Sequence, residues 1–316
     1  MQQWLSQAPA NIALIKYMGK DDKATNLPAN PSLSFTLNDL KSSVSLEAHP
    51  GKLDFWEPLE LPGVDNFVLS QEGQQRFLKH LAFLKQTFSY TGGFTVRSNN
   101  NFPLSTGLAS SASSFAALTQ CAVRALCDLT KQPLPDVEAI AALSRHGSGS
   151  SCRSFFSPWA LWENDTVKSI DVPYQDLFHK VILVSHEIKA VSSSKAHELV
   201  KTSPKYATRA ERAKQNLRDL LDAFHTKNWS TAYQVCWREF QDMHELFSSC
   251  AQPFTYMTDR TLQLLDQLKA AWEQNQDGPI ITMDAGPNIH LLYRPDQKEM
   301  ARVFEQDVLI GNFDVM

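Results

Sequence analysis

Asp284 stands where an apolar run breaks into a tight turn, Met283-Asp284-Ala285-Gly286-Pro287-Asn288. A carboxylate held at such a break can orient or deprotonate a hydroxyl. The same placement also suits an Asx turn, in which the side chain only satisfies its own backbone. Arg153 closes a second segment, Gly147-Ser148-Gly149-Ser150-Ser151-Cys152-Arg153. Its guanidinium has the planar fork that holds a carboxylate bidentately, although a surface ion pair would use it equally well. The loop looks like a shortened G-x-G-x-x-G, but Cys152 fills the last position and no strand precedes it, so a dinucleotide fingerprint is excluded.

Two more segments carry unusual residue types. The run from Asn101 to Ser113 sets Ser105, Gly107, Leu108, Ala109, Ser110 and Ser111 between a strand-like stretch and a long helical one. Unpaired N–H groups at a helix start favour anions, so Ser110 and Ser111 either cap the helix or donate to phosphate oxygens. No G-x-x-x-x-G-K-[ST] is present, which excludes a Walker loop. Near the N-terminus, Lys16 sits in an apolar stem and Lys20 follows Gly19. Buried lysines are costly unless paired, so this placement points to function at least as much as to structure.

The elements that must position these groups are legible in outline. Residues 42–49 and 93–97 read as strands, and 74–87, 110–129 and 136–146 as helices, the last stopped by Gly147. After a strand at 181–184 and a serine-rich loop, amphipathic helices are predicted around 198–221 and 259–275. Strands at 280–283 and 289–293 flank the Asp284 turn. Strands and helices interleave without a regular βαβ rhythm, so the class is α+β, with a boundary near 170–185.

Bulk composition narrows the rest. The chain has 316 residues, a net charge of −4 and 43% hydrophobic residues, an ordinary globular balance without the basic field of a nucleic-acid binder. Five cysteines without CxxC spacing argue against a disulfide framework or a structural zinc site, and for a reducing compartment. No apolar run is long enough to span a bilayer and the first 20 residues do not form a signal peptide, so a cytoplasmic location is expected.

Five segments together carry a family resemblance: NIALIKYMGK at 11–20, NLPANPSLSFTL at 26–37, NNFPLSTGLASSAS at 100–113, GSGSSCRS at 147–154 and MDAGPN at 283–288. Their order and approximate spacing resemble those of diphosphomevalonate decarboxylases, in the GHMP small-molecule kinase superfamily. The resemblance runs from about residue 8 to about residue 293. It implies a GHMP-kinase-like two-domain fold, with a ribosomal-protein-S5-like domain at 1–180 and a ferredoxin-like α/β sandwich at 181–316. It also implies a homodimer and ATP-dependent decarboxylation of a phosphorylated mevalonate. ATP would enter as its Mg2+ complex, with no dedicated protein ligand for the metal.

Carried over residue by residue, the resemblance makes Asp284 the group acting on the 3-hydroxyl and Arg153 the clamp on the C1 carboxylate, with Asn11 positioning that clamp. Lys20 would tune Asp284 or neutralise phosphate. Tyr17, Met18, Gly19, Ser148, Gly149, Ser150, Ser151, Cys152 and Ser194 would line the substrate, and Ser105, Gly107, Leu108, Ala109, Ser110 and Ser111 the nucleotide phosphates. Met18 replaces a tryptophan usual in the family. Where members place an arginine at a helix start for the substrate diphosphate, this chain has Gly73, leaving Arg76 and Lys79 as the nearby cations. The enzymatic alternative is a decarboxylase or kinase acting on mevalonate 5-phosphate or mevalonate 3,5-bisphosphate, and a catalytically dead GHMP-fold interaction module is the non-enzymatic alternative.

Overall fold

A computed structural model describes residues 2–64, 68–102, 110–185, 189–309 and 313–316. Its first part runs through β1 (Gln3–Ile15), the short hairpin β2 (Lys20–Asp22) and β3 (Leu27–Pro28), β4 (Ser32–His49) and β5 (Phe55–Pro58). Next come α1 (Gln71–Thr87), β6 (Gly93–Asn100), α2 (Ser110–Thr130), α3 (Val137–Arg145), β7 (Trp159–Glu163) and β8 (Thr166–Ser169). The sheet is ordered β5-β6-β4-β7-β8, with β1 also paired to β4. The long β4 therefore serves three neighbours, pairing β7 at its start, β6 at its end and β1 along most of its length.

Helix α2 explains how this sheet is covered. Its small residues, among them Ala112, Ala116, Ala117, Ala122 and Ala125, are all fully buried, so the helix lies close against β1 and β4. Phe115, Leu118 and Leu126 then fill the space between α2, the sheet residues Val44, Leu46, Phe94 and Val96, and Phe77 and Leu81 of α1. Each such side chain contributes about 1.5–3 kcal/mol on burial. Asp136 caps α3 by accepting from the Ala139 N–H, and Ser70 caps α1 by accepting from the Gly73 N–H.

The second part comprises β9 (Phe178–Leu183), α4 (Ser193–Leu199), α5 (Arg209–His225), α6 (Trp229–Ser249), α7 (Asp259–Asn275), β10 (Ile280–Thr282), β11 (Ile289–Tyr293), α8 (Lys298–Phe304) and β12 (Asp314–Val315). Its antiparallel sheet is ordered β10-β11-β9-β12. Mixed sheets and helices, with β5-α1-β6 a lone parallel βαβ unit among antiparallel pairs, make the class α+β, as expected. All five cysteines are buried and free. Among the described residues no helix is long and apolar enough to cross a membrane.

Two expectations need correction. The helix read at 198–221 is interrupted: Val200–Thr202 and Tyr206–Thr208 are short 3-10 turns around Pro204, and regular helix starts only at Arg209. Proline removes a backbone donor and clashes with the preceding turn. Helix α6, 21 residues long, is absent from the expected elements. Its signal is present in Trp229, Tyr233, Trp237, Phe240, His244 and Phe247, which recur at three- and four-residue spacing. Aromatic and β-branched residues are poor helix formers, and here packing overrides propensity.

Candidate active site

The chemistry-bearing segments meet in one cleft of about 250 Å3 between the two sheets. One wall is the end of β1 and the residues after it, from Ala13 to Lys20. Facing it are Asp284 and Ala285 in the turn after β10, Gly147 to Ser150 with Arg153, the first turn of α2, and Lys189, Ser192 to Ser194 and His197. Bulges in β1, between Pro9 and Ala10 and again between Ala13 and Ile15, break the alternation of its side chains and re-aim Lys16.

Asp284 receives a hydrogen bond from Lys16 Nζ at 2.8 Å. The lysine side chain is 2% exposed, whereas the carboxylate keeps 27% of its surface open to the cleft. Burial pushes the Asp284 carboxyl up, but Lys16, His290 and Arg153 together outweigh it and hold the carboxyl below the usual range. Asp284 is thus an ionised, accessible base at neutral pH. The expectation that Lys20 tunes it is corrected: Lys20 Nζ donates to Asn26 Oδ1 at 2.6 Å, and Lys16 is the contact ammonium. Gly19, at φ +97°, turns the chain between the two lysines. Burial lowers the pKa of Lys20, and the neighbouring Arg76 and Lys23 charges add to that.

Arg153 is buried at 3% exposure. Its Nε donates to Asn11 Oδ1 at 3.2 Å and its Nη1 to Ser32 Oγ at 2.8 Å. Asn11 is fixed in turn, its Nδ2 donating to Ser154 Oγ at 2.9 Å and the Ser150 carbonyl at 3.3 Å. Two of five guanidinium N–H groups hold the side chain in place, and no carboxylate among the described residues pairs with it. A buried guanidinium with no carboxylate in hydrogen-bond contact, opening on a cleft, has the chemistry to receive a carboxylate.

The serine loop sorts into two groups. Ser148, Gly149 and Ser150 line the cleft, and a Cβ on Gly149 would meet the Tyr17 hydroxyl at 2.6 Å, so only glycine fits. Ser151 and Cys152 do not line it: Ser151 Oγ donates to Ser144 Oγ and the Ser148 carbonyl, and Cys152 Sγ to the Gly149 carbonyl. The 3-10 turn Gly149–Phe155 sends those side chains into the protein. Burial pushes the Cys152 thiol up to about 12. Tyr17 and Met18 border the cleft, Tyr17 packing on His197 and Trp162, while Met18 packs on Met243 and Phe247. The backbone N–H of Gly19 donates to His197 Nδ1 at 3.0 Å, and burial lowers that imidazole to about 3.

Ser110 and Ser111 form the first turn of α2 at the cleft, and Ser194 lies in the first turn of α4. Ser105, Gly107, Leu108 and Ala109 lie outside the described residues. Next to the cleft is a wider cavity of about 850 Å3, lined by Lys20, Lys23, Arg76, Lys79 and Lys201 together with His146 and His197. Among the described residues the one carboxylate on its wall, Glu198, is already paired with Lys23. Such a surplus of cations suits a polyanion. Lys189 is a further cleft residue that sequence reasoning missed. Its Nζ donates to the Ala285 carbonyl, and only its place after a strand could have drawn notice.

Known proteins share this arrangement of segments. Residues 8–171 match the diphosphomevalonate decarboxylase-like N-terminal domain and residues 180–309 the mevalonate 5-diphosphate decarboxylase C-terminal domain. The chain belongs to the diphosphomevalonate decarboxylase family. It is 30% identical to the diphosphomevalonate decarboxylase of Debaryomyces hansenii, over 92% of this chain and 79% of that one. A crystal structure of a mevalonate diphosphate decarboxylase from Legionella pneumophila superposes with a TM-score of 0.95 at 59% identity, covering 100% of both chains. A structure of MDDEF in complex with MVAPP, AMPPCP and magnesium superposes with a TM-score of 0.86 at 26% identity, covering 99% of this chain and 95% of that one. The GHMP fold expected from the five segments is therefore the fold of this chain.

Proposed function

We propose that this chain catalyses the ATP-dependent decarboxylation of (R)-5-diphosphomevalonate to isopentenyl diphosphate, releasing ADP, phosphate and CO2. The observation that carries the reading is the meeting, in one cleft beside a cation-lined cavity, of an ionised Asp284 and an Arg153 guanidinium that has no carboxylate in hydrogen-bond contact. A plain kinase needs no carboxylate clamp.

Placement supports a role for each group. Asp284 orients the tertiary 3-hydroxyl and takes its proton as the oxygen attacks the γ-phosphorus of ATP. Lys16 keeps Asp284 ionised until then. Phosphate departure leaves positive character at C3, which the nearby carboxylate stabilises. Arg153, braced by Asn11 and Ser32, aligns the C1 carboxylate so that its C–C bond electrons form the alkene as CO2 leaves. Tyr17, Ser148, Gly149, Ser150 and Ser194 shape the substrate side of the cleft, which Gly19 does not line, and Lys20 with Arg76 draws the diphosphate.

ATP phosphates would lie over the first turn of α2, where Ser110 and Ser111 line the cleft and a helix start favours anions. Among the described residues no cluster of three His, Cys, Asp or Glu could hold a metal ion. The hydroxyl and carboxylate oxygens of the cleft do suit a hard cation that arrives on the triphosphate. Magnesium supplied that way neutralises phosphate charge. Ser110→Ala and Ser111→Ala are expected to raise the KM for ATP about fivefold each, the loss of one hydrogen bond, with the KM for diphosphomevalonate nearly unchanged. Intact ATP kinetics with only a lowered melting temperature would reduce both serines to helix-start residues.

The substrate's phosphorylation state rests on the cationic cavity. Arg76 faces both the cleft and the cavity, whereas Lys79 faces the cavity alone. Arg76→Gln is therefore expected to lower kcat/KM for the diphosphate about ten- to hundredfold, and for mevalonate 5-phosphate much less. A wild type that prefers the monophosphate would replace the diphosphate in this reading. The reaction as a whole is tested by release of labelled CO2 from C1-labelled diphosphomevalonate, dependent on ATP. ADP formation without CO2 would leave a kinase.

Three coarser features complete the reading. A division into two domains is supported by two separate sheets; because the second begins at Phe178, the boundary belongs just before β9 and not at 180/181. Five unpaired cysteines support a reducing, cytoplasmic location. The homodimer is carried by family likeness, and sedimentation of the purified chain tests it.

A further inference from the structure

Pairing of β1 with β4 ends at Ile15, one residue before Lys16. The Lys16 peptide is instead held by side chains. Its N–H donates to Glu239 Oε1 at 2.9 Å, and its carbonyl accepts from Arg209 Nη2 at 3.2 Å and Asn30 Nδ2 at 2.8 Å. Glu239 lies on α6 and Arg209 begins α5, at 0% and 1% exposure.

Arg209 binds both oxygens of Glu239, which also accepts from Asn216 at 2.6 Å. The same Arg209 Nη1 reaches Asp242 at 2.7 Å, and Asp242 holds Arg212 at 2.8 Å. A buried pair of this kind is a weak source of stability, because desolvation offsets the attraction. What it does achieve is geometric. Lys16 comes from the first sheet and Asp284 from the second, and the α5–α6 hairpin packs against both β1 and β10.

We propose that the buried Arg209–Glu239 pair is a positioning device for catalysis: it fastens the Lys16 peptide to the α5–α6 hairpin, so that Nζ is delivered to Asp284 across the two parts of the fold. The lysine side chain is long and flexible between backbone and ammonium. Holding both peptide groups of Lys16 removes backbone slack at the base of that chain. A shift of about 1 Å would loosen the 2.8 Å contact and with it the charge that keeps Asp284 ionised. The proposal rests on the reading of Asp284 as the base. The charged and titratable groups around that carboxylate are Lys16, Lys189, Arg153, His244 and His290. None of them is Arg209 or Glu239, which act only through Lys16.

The test compares Arg209→Lys, which keeps the charge but not the fork, with Arg209→Met/Glu239→Leu, which removes the pair without stranding a charge. Both are expected to lower kcat about ten- to hundredfold and to leave the KM for ATP and for diphosphomevalonate within about twofold. The acid limb of the kcat profile is expected to move to higher pH, because a loosened Lys16 depresses the Asp284 carboxyl less. Arg209→Met/Glu239→Gln, which restores only an acceptor for the Lys16 N–H, should recover part of the turnover. Wild-type kcat with an unmoved acid limb in any folded variant lacking the fork would overturn the proposal. So would a loss of kcat that leaves the acid limb in place. If Asp284→Asn itself stays active, the reading of the base has failed instead, and the two failures are told apart by that control.

Discussion

Asp284→Asn is expected to cut turnover by about three or more orders of magnitude, because in the proposed mechanism it removes the base and the charge facing the developing cation together. The substitution keeps the size of the side chain and the turn that presents it. Nucleotide affinity is expected to change little, since the site proposed for the ATP phosphates is the first turn of α2 and not the Asp284 turn. Lys16 is left buried without its counter-ion, so some loss of stability accompanies the loss of rate. The wild-type carboxyl is held below its ordinary range. Its ionisation therefore contributes stability above the unfolded-state pKa, and that contribution disappears as pH falls through the lower folded value. In the variant this acid-dependent component should be missing from the pH dependence of melting. Near-normal turnover in a folded Asp284→Asn protein would remove Asp284 from the reaction.

The second large effect is expected at Arg153. Arg153→Lys keeps a positive charge but gives up the planar fork, and with it the contacts to Asn11 and Ser32 that hold the cation in place. Two charge-assisted hydrogen bonds at about 1.5–3 kcal/mol each amount to roughly two to four orders of magnitude in kcat/KM for diphosphomevalonate. The KM for ATP should stay within about twofold. Steady-state kinetics with each substrate varied in turn distinguish these outcomes. Equal losses toward both substrates would mean that Arg153 supports the fold of the cleft and not the carboxylate. Asn11→Ala is expected to reproduce a smaller version of the same pattern, because it releases the Nε end of the fork.

The elements around the cleft are largely legible from local pattern. The helix expected at 74–87 is α1, and those at 110–129 and 259–275 are α2 and α7, with ends shifted by no more than three residues. Periodicity is a property of neighbouring residues, so it survives without tertiary information. Helix α6 carries the same periodicity in its aromatics yet is hard to see, because residue types suited to strands stand at helical positions.

The site divides along a different line. Each of the carboxylate, the guanidinium and the small-residue helix start was ambiguous by its local sequence alone, and it was their joint order and spacing, through the family resemblance, that singled them out. Which groups touch was decided only by the fold. Lys16 and Asp284 are 268 residues apart, and nothing local distinguishes Lys16 from Lys20 as the partner of Asp284. The bulge before Ile15 and the turn at Gly19 make that choice. Similarly, Ser150 and Ser151 are chemically identical neighbours, yet the 3-10 turn sends one to the cleft and the other to Ser144. The clasp of Glu239 and Arg209 on the Lys16 peptide lies further still from local pattern. Local sequence determines which chemistry is available, because functional groups belong to residues. Contacts between distant segments depend on packing the two sheets and the α5–α6 hairpin together, and only the tertiary structure specifies them.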